Sequence, residues 1–349
     1  MQKRIIAFAV SLFMIALAYA YNPPAGGQNF LRITEPQLLT GAGSCAGGAI
    51  FNGVTPASVI NNPALTAFEQ RIILDIAGTM LFDSSDSDHT IGGAFQTGIA
   101  IPSRWCVSSF LFQGVWVPFE NMETGNSLNL NANFSKDLTD TLVVGGGVDF
   151  GIFYGHGTDW RAGANLGVLY CFGDVSFLRD VRFGAALTNL GKPWTDTTVE
   201  GITGSEASMW PGLATIKTGA AAILFSTDTM NLGASTDFSV PAFQNLVIDA
   251  GVQLEFNEFI KVSTSWEYDV RECAEGSVNL IPSVGLSFKF IFKAKEDSIL
   301  TERGWQQSEM TVSAAWQNLY ETVNAASVGA VINLGLKDTD APEIILWSE

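Results

Sequence analysis

The side chains first suspected of catalysis or metal binding are few in this 349-residue chain: His89, His156, four cysteines and one acidic run. The two histidines fall in different connecting segments and neither has a neighbouring ligand pattern. A catalytic triad would have to be built around one of them. Cys45, Cys106, Cys171 and Cys273 are too far apart for a local zinc motif. An exported chain permits disulfides, and thiols packed in strands as small hydrophobes are an equal alternative. The run DSSDSDH (83–89) alternates acidic residues but lacks the Gly and distal Glu of a calcium loop, so it reads as a solvated surface loop. Three glycines at 145–147 lie inside a strand pattern, where they allow a bend or a close backbone approach rather than a phosphate cradle. The expectation is a protein that is not an enzyme, with no catalytic residue, no metal and no cofactor.

Composition and pattern define the elements around these residues. The opening MQKRIIAFAVSLFMIALAYA carries Lys3 and Arg4, an apolar run from Ile5, and Ala18-Tyr19-Ala20 as a small-x-small cleavage site. That is the layout of a secretory signal peptide over 1–20. The apolar run is short for a membrane span of about 20 residues, and no Cys follows Ala20 to carry a lipid anchor. The formal charge of −17 becomes −19 without Lys3 and Arg4. Nucleic acid is therefore not an expected partner, because neutralising phosphates needs clustered cations. Only 15% of residues are charged while 47% are hydrophobic and 35 are Gly; an ordinary soluble domain is about one quarter charged. No later apolar run approaches the roughly 18 residues of a membrane helix. A secreted β-protein or an outer-membrane barrel remains.

Alternation separates these two. WRAGANLGVLY puts Trp160, Ala162, Ala164, Leu166, Val168 and Tyr170 on one face and Arg161, Gly163, Asn165 and Gly167 on the other. LVIDAGVQLEF sets Leu246, Ile248, Val252, Leu254 and Phe256 against Asp249, Gly251, Gln253 and Glu255. IKVSTSWEYDV sets Ile260, Val262, Trp266, Tyr268 and Val270 against Lys261, Ser263, Ser265, Glu267 and Asp269. Successive side chains of a strand point to opposite faces. Sandwich strands run about five or six residues, whereas these run ten or more, as tilted membrane strands must. The polar faces suit a lumen, and the apolar faces end in aromatics, as at a membrane interface.

About fourteen such segments begin near Arg71, Thr90, Trp105, Leu128, Thr141, Trp160, Val181, Thr215, Met230, Leu246, Ile260, Pro282, Met310 and Ala326. The third, WCVSSFLFQGVWV, alternates poorly, and its register stays open. With the first strand leaving the periplasm, the even connections at 103–104, 138–140, 226–229 and 257–258 are short turns, and the long 191–213 lies outside. Residues 293–308 break this rule as a long periplasmic connection. The predicted fold is all-β: an antiparallel transmembrane barrel over 70–336, a small N-terminal hatch or plug over 21–69, and a tail over 337–349.

The stretch ahead of the barrel, LLTGAGSCAGGAIFNGVTPASVINNPALTAF (38–68), pairs a Gly/Ala-rich run with one Asn-Pro-Ala turn. It resembles the hatch of the FadL-like family of outer-membrane transporters, and also that family's uncharacterised spirochaete branch. The matching residues are Gly41, Gly43, Gly47, Gly48, Ala57, Ser58, Asn62, Pro63 and Ala64. The family usually continues Asn-Pro-Ala-Gly-Leu, whereas Leu65 follows Ala64 here, and Thr55-Pro56 replaces acidic residues common before the motif. SVGAVINL (327–334) keeps the shape of a barrel assembly signal, but ends on Leu and precedes the tail.

A fourteen-stranded lumen is too wide for its own side chains to fill. Small residues let a plug backbone lie close to the wall. Pro63 lacks an N–H and forces a break at Asn62, which caps the local backbone. A plain helix cap joining an N-terminal arm to the first strand is the alternative.

The resemblance implies uptake of long-chain fatty acids or other hydrophobic small molecules, with the hatch shifting and the ligand leaving sideways through the wall, without energy source or cofactor. It also implies outer-membrane lipid around the barrel and assembly by the barrel assembly machinery. The expected state is a monomer. Asn62, Pro63, Ala64, Gly47 and Gly48 are the expected gating residues. Phe30, Leu31, Ile50 and Phe51 are the expected pocket lining. Two other readings stay open: an outer-membrane scaffold that holds partner proteins, and a general porin.

Overall fold

The computed structural model describes residues 21–27, 30–41, 46–47, 50–51, 53–84, 91–119, 122, 124–154, 157–276, 281–295, 298, 305 and 307–335. The leader, the tail, Gly43, Gly48, Cys45, His89 and His156 lie outside the described residues.

Fourteen strands follow one another: β1 (Ile73–Asp83), β2 (Ile91–Pro102), β3 (Val107–Trp116), β4 (Asn126–Asp137), β5 (Leu142–Tyr154), β6 (Thr158–Val175) and β7 (Leu178–Lys192), then β8 (Thr215–Ser226), β9 (Met230–Val240), β10 (Val247–Phe256), β11 (Ile260–Asp269), β12 (Ser283–Lys293), β13 (Gln307–Tyr320) and β14 (Val323–Asn333). Each start lies within three residues of its sequence expectation. Every strand pairs antiparallel with its neighbours, and β1 pairs with β14 from Ile73↔Asn333 to Asp83↔Val323, so the barrel is closed. Closure removes the free edges a β-sheet would otherwise present.

The faces sort as period two requires. Along β1, Leu74, Ile76 and Met80 are exposed, while Asp75, Thr79 and Asp83 are buried. Ile76 at 65%, Leu166 at 57% and Val328 at 63% exposure belong to a set of exposed large hydrophobics spread over the strands, far more than the scattered ones of a soluble surface. On a barrel they are the face presented to hydrocarbon. β3 shows why its hydropathy alternates poorly. Phe110, Phe112 and Trp116 point outward, but Leu111 and Val115 on the inward face are also apolar. Leu111 packs against Leu38, Ala57 and Val59, and Val115 joins the cluster at the barrel mouth.

Connections alternate in length. Those at 103–106, 138–141, 176–177, 227–229 and 257–259 are short, while 193–214 and 270–282 at the opposite end are long. The connection between β12 and β13 is the long exception at the short-turn end, as its sequence suggested.

The described residues of 21–68 contact the inward face of this wall. They start at the long-loop end, where Asn22 bridges Ser208 and Ile202 N–H donates to Pro23 O. Short helical turns follow at Arg32–Thr34, Pro36–Leu39, Pro56–Ile60 and Pro63–Phe68. The segment leaves at the short-turn end, where Arg71 pairs with Glu69 and Glu309. On the way Leu31 O accepts from Gln113 of β3, while Arg32 pairs with Asp249 of β10. Those strands lie on opposite sides of the ring, so these two adjacent residues contact both walls from within the lumen.

Candidate functional site: the interior segment and its contacts

At the mouth, the connection 193–214 folds inward rather than standing in solvent. Trp194 and Trp210 are fully buried and pack edge-on to each other with ring centroids 4.8 Å apart. Phe30 of the interior segment meets them at 5.1 and 5.4 Å, and Phe153 of β5 meets Trp194 at 5.7 Å. Tilted and edge-to-face rings at these distances are a favourable aromatic arrangement. Tyr21, Leu31, Ile33, Phe119 and Met122 complete the cluster.

Below it the lumen turns polar. Arg32 reaches Asp249 at 3.1 Å and Glu267 at 3.0 Å. Across the lumen Arg161 pairs with Asp149 at 2.5 Å, and its Nε donates to Asn129 Oδ1 at 3.2 Å. Buried charges persist only when paired and hydrogen-bonded. Arg32 contributes its charge from the segment, so this pairing ties segment to wall.

A second polar contact has no cation. Glu35 of the segment and Asp75 of β1 are buried, and Glu35 Oε1 and Asp75 Oδ1 have no hydrogen-bond partner among the described residues. Thr55 Oγ1 donates to Glu35 Oε2 at 3.3 Å, and Gln96 Nε2 donates to Asp75 Oδ2 at 2.5 Å. Burial first, and the charge of Asp75 second, push the Glu35 carboxyl well above the ordinary carboxylate range. Nearer the mouth, Glu272 accepts from Gly26 N–H at 2.8 Å, and burial followed by Asp269 pushes it up to about 7.

The Asn-Pro-Ala turn docks on β4, β5 and β6. Asn62 Oδ1 accepts from Ala64 N–H at 2.9 Å and so caps the helical turn that Pro63 begins. Asn62 Nδ2 donates to Val168 O at 3.1 Å, Asn133 Nδ2 donates to Pro63 O at 3.0 Å, and Thr66 and Ser135 hydroxyls meet at 2.7 Å. The wall makes room with missing side chains. A Cβ at Gly145 would sit 2.3 Å from Pro63 O, and one at Gly167 would sit 2.0 Å from Asn62 Oδ1. The close approach expected for the three glycines of β5 is met at Gly145.

The four apolar candidates do not share one pocket. Phe30 and Leu31 line a cavity of about 40 Å³ under the aromatic cluster. Ile50 and Phe51 line a different one, about 410 Å³, toward the short-turn end, together with Arg71, Arg182, Lys261 and Glu309. There Ile50 packs toward Gly233, and Phe51 is held through its backbone by Gln253 and Lys261. Gly47 borders that same cavity beside Arg182. The larger cavity is thus a charged vestibule.

Sequence reasoning singled out the Asn-Pro-Ala turn but not Arg32, Glu35, Asp75, Asp149 or Arg161 as a set. Their signal was present, since each wall member is a charge on an inward face. Pairing them needs register, which places Asn131 opposite Asp149 and Gly151 opposite Arg161.

A closed ring of fourteen antiparallel strands, an apolar outer belt and long loops at one end define an outer-membrane β-barrel. Among solved structures, the toluene transporter TodX of Pseudomonas putida is similar in fold, with a TM-score of 0.50 at 12% identity over 86% of this chain and 98% of that one. The monoaromatic hydrocarbon channel CymD gives a TM-score of 0.49 at 10% identity over 87% of this chain and 97% of that one. A Pseudomonas aeruginosa FadL homologue gives 0.43 at 12% identity, over 90% and 98%. No protein-family model and no curated protein matches the sequence.

Proposed function

We propose that this barrel carries small hydrophobic molecules across the outer membrane, and that its N-terminal segment is the gate. The observation that carries this reading is the aromatic cluster at the outer mouth. Phe30 from the segment, Phe153 from the wall and Trp194 and Trp210 from the long connection meet at the head of a lumen whose wall below is largely polar. A solute that displaces these rings from one another would loosen the segment and the connection together. Lower down the segment is held by small apolar clusters together with hydrogen bonds and ion pairs, and the polar contacts exchange for water at small net free energy. The barrel likeness to TodX, a toluene transporter, supports the same cargo class. Asn62, Pro63, Ala64, Gly47 and Gly48 are the gate residues of this proposal.

Titrating the purified protein with toluene and with palmitate while following tryptophan fluorescence tests it, because Trp194 and Trp210 lie in the cluster. Saturable changes that Phe30→Ala weakens are expected. No saturable change with either compound would overturn the proposal and favour the scaffold reading.

A further inference from the structure

The cavity of about 40 Å³ beneath the aromatic cluster is not explained by a purely hydrophobic cargo. Its lining includes Asn131, Arg161 and Thr188, and each carries a buried polar atom with no partner among the described residues: Asn131 Nδ2, Arg161 Nη2 and Thr188 Oγ1. The three residues are 6%, 2% and 3% exposed. A buried donor left unpaired is costly, most of all on a guanidinium. Three around one space mark a place built to be filled.

The chemistry of the donors selects the occupant. Arg161 Nη2 and Asn131 Nδ2 can only donate, and a threonine hydroxyl can donate as well. Their complement is a group that only accepts. Asp149 engages Arg161 through Nη1 at 2.5 Å and leaves Nη2 over. Arg32 is already paired with Asp249 and Glu267, so the donors left over at the space are those of Arg161, Asn131 and Thr188. A carboxylate offers two oxygens to such donors and makes a charge-assisted bond with the guanidinium.

Size and neighbours restrict the rest of the molecule. Phe30 belongs both to the cavity lining and to the ring cluster, and the Arg161 guanidinium lies 5.4 Å from the Trp194 ring centroid. Ring contacts and the acceptor site are therefore one side chain apart, and a space of about 40 Å³ shared with Asn165, Asn189 and Asp149 favours a compact molecule over a long alkyl chain. We propose that the lumen binds a compact aryl carboxylate, its ring among Phe30, Trp194 and Trp210 and its carboxylate on Arg161 Nη2 and Asn131 Nδ2. The proposal rests on the reading that this cluster opens to admit small molecules, and narrows their class.

Benzoate, toluene and palmitate titrations of the full-length protein separate the two ideas. Benzoate is expected to bind about tenfold or more tighter than toluene, the equivalent of one hydrogen bond to a charged group. Asn131→Asp places a carboxylate of the protein's own beside Arg161, and is expected to weaken benzoate about tenfold while leaving toluene unchanged. Thr188→Val removes an unpartnered hydroxyl at equal volume and serves as the variant whose folding is not in question. It is expected to weaken benzoate by about two- to fivefold. Toluene or palmitate binding without a benzoate preference overturns this inference alone, as does benzoate binding indifferent to Asn131→Asp. Failure of all three compounds overturns the transport reading with it.

Discussion

Asn62 holds the interior segment in two directions, by capping the turn that starts at Pro63 and by reaching the wall at Val168 O. Losing an N-cap side chain costs about 1 kcal/mol, and losing the wall contact about as much again. Asn62→Ala is therefore expected to leave the barrel's melting unchanged while exposing residues 21–68 to added protease. An unaltered digestion pattern would contradict that role. Glu35 is expected to make the docking pH-dependent. Its raised pKa means that the native state holds the proton more tightly than the unfolded chain. Stability is thus full below the ordinary carboxylate pKa and is lost as pH rises toward the raised value. Glu35→Gln, neutral throughout, is expected to slow digestion of the segment at about pH 8 and to change little at about pH 4. Equal digestion of variant and parent at both pH values would remove Glu35 from the account. At this scale the Asn-Pro-Ala turn and the small residue at Gly145 were legible in the sequence, because turn chemistry and close approach are local. The pairs Arg161–Asp149 and Arg32–Asp249 were not, because each joins residues whose meeting depends on register or on the path of the segment.

The strands were the most legible elements, since a half-wet, half-apolar strand writes its own period. β3 was the informative exception: apolar Leu111 and Val115 face inward because the interior segment offers them apolar partners. No window of sequence records a partner some 70 residues away. The connection 193–214 carried the opposite ambiguity. Length alone puts it at the outer end, but only the structure places Trp194 and Trp210 inside the mouth. Truncating a buried Trp to Ala costs about 3–5 kcal/mol. Trp194→Ala is expected to spend that loss locally, raising amide hydrogen exchange in 193–214 and 21–34 while the strands stay protected. Exchange that rises equally in all strands would mean that the mouth cluster supports the whole barrel instead.

Taken whole, the molecule divides its chemistry by radius. Apolar side chains face outward to hydrocarbon, and a polar wall faces inward. Described residues of the N-terminal segment contact that inward wall and bring charges of their own, Arg32 and Glu35, to it. A formal charge of −17 spread over so few charged residues fits a chain whose ionised groups serve the lumen and the loops rather than a general soluble surface. In the proposed mechanism residues 21–68 both occupy the lumen and must move for passage. Thr66 and Ser135, whose hydroxyls meet at 2.7 Å, allow a direct test. In a chain with its native cysteines replaced by Ser, Thr66→Cys and Ser135→Cys should form a disulfide linking segment to wall, their side chains being close enough for its geometry. Uptake of a hydrophobic probe into proteoliposomes should stop when that bond is oxidised and return on reduction. Absence of the cross-link, or uptake that continues unchanged with it in place, would contradict the account.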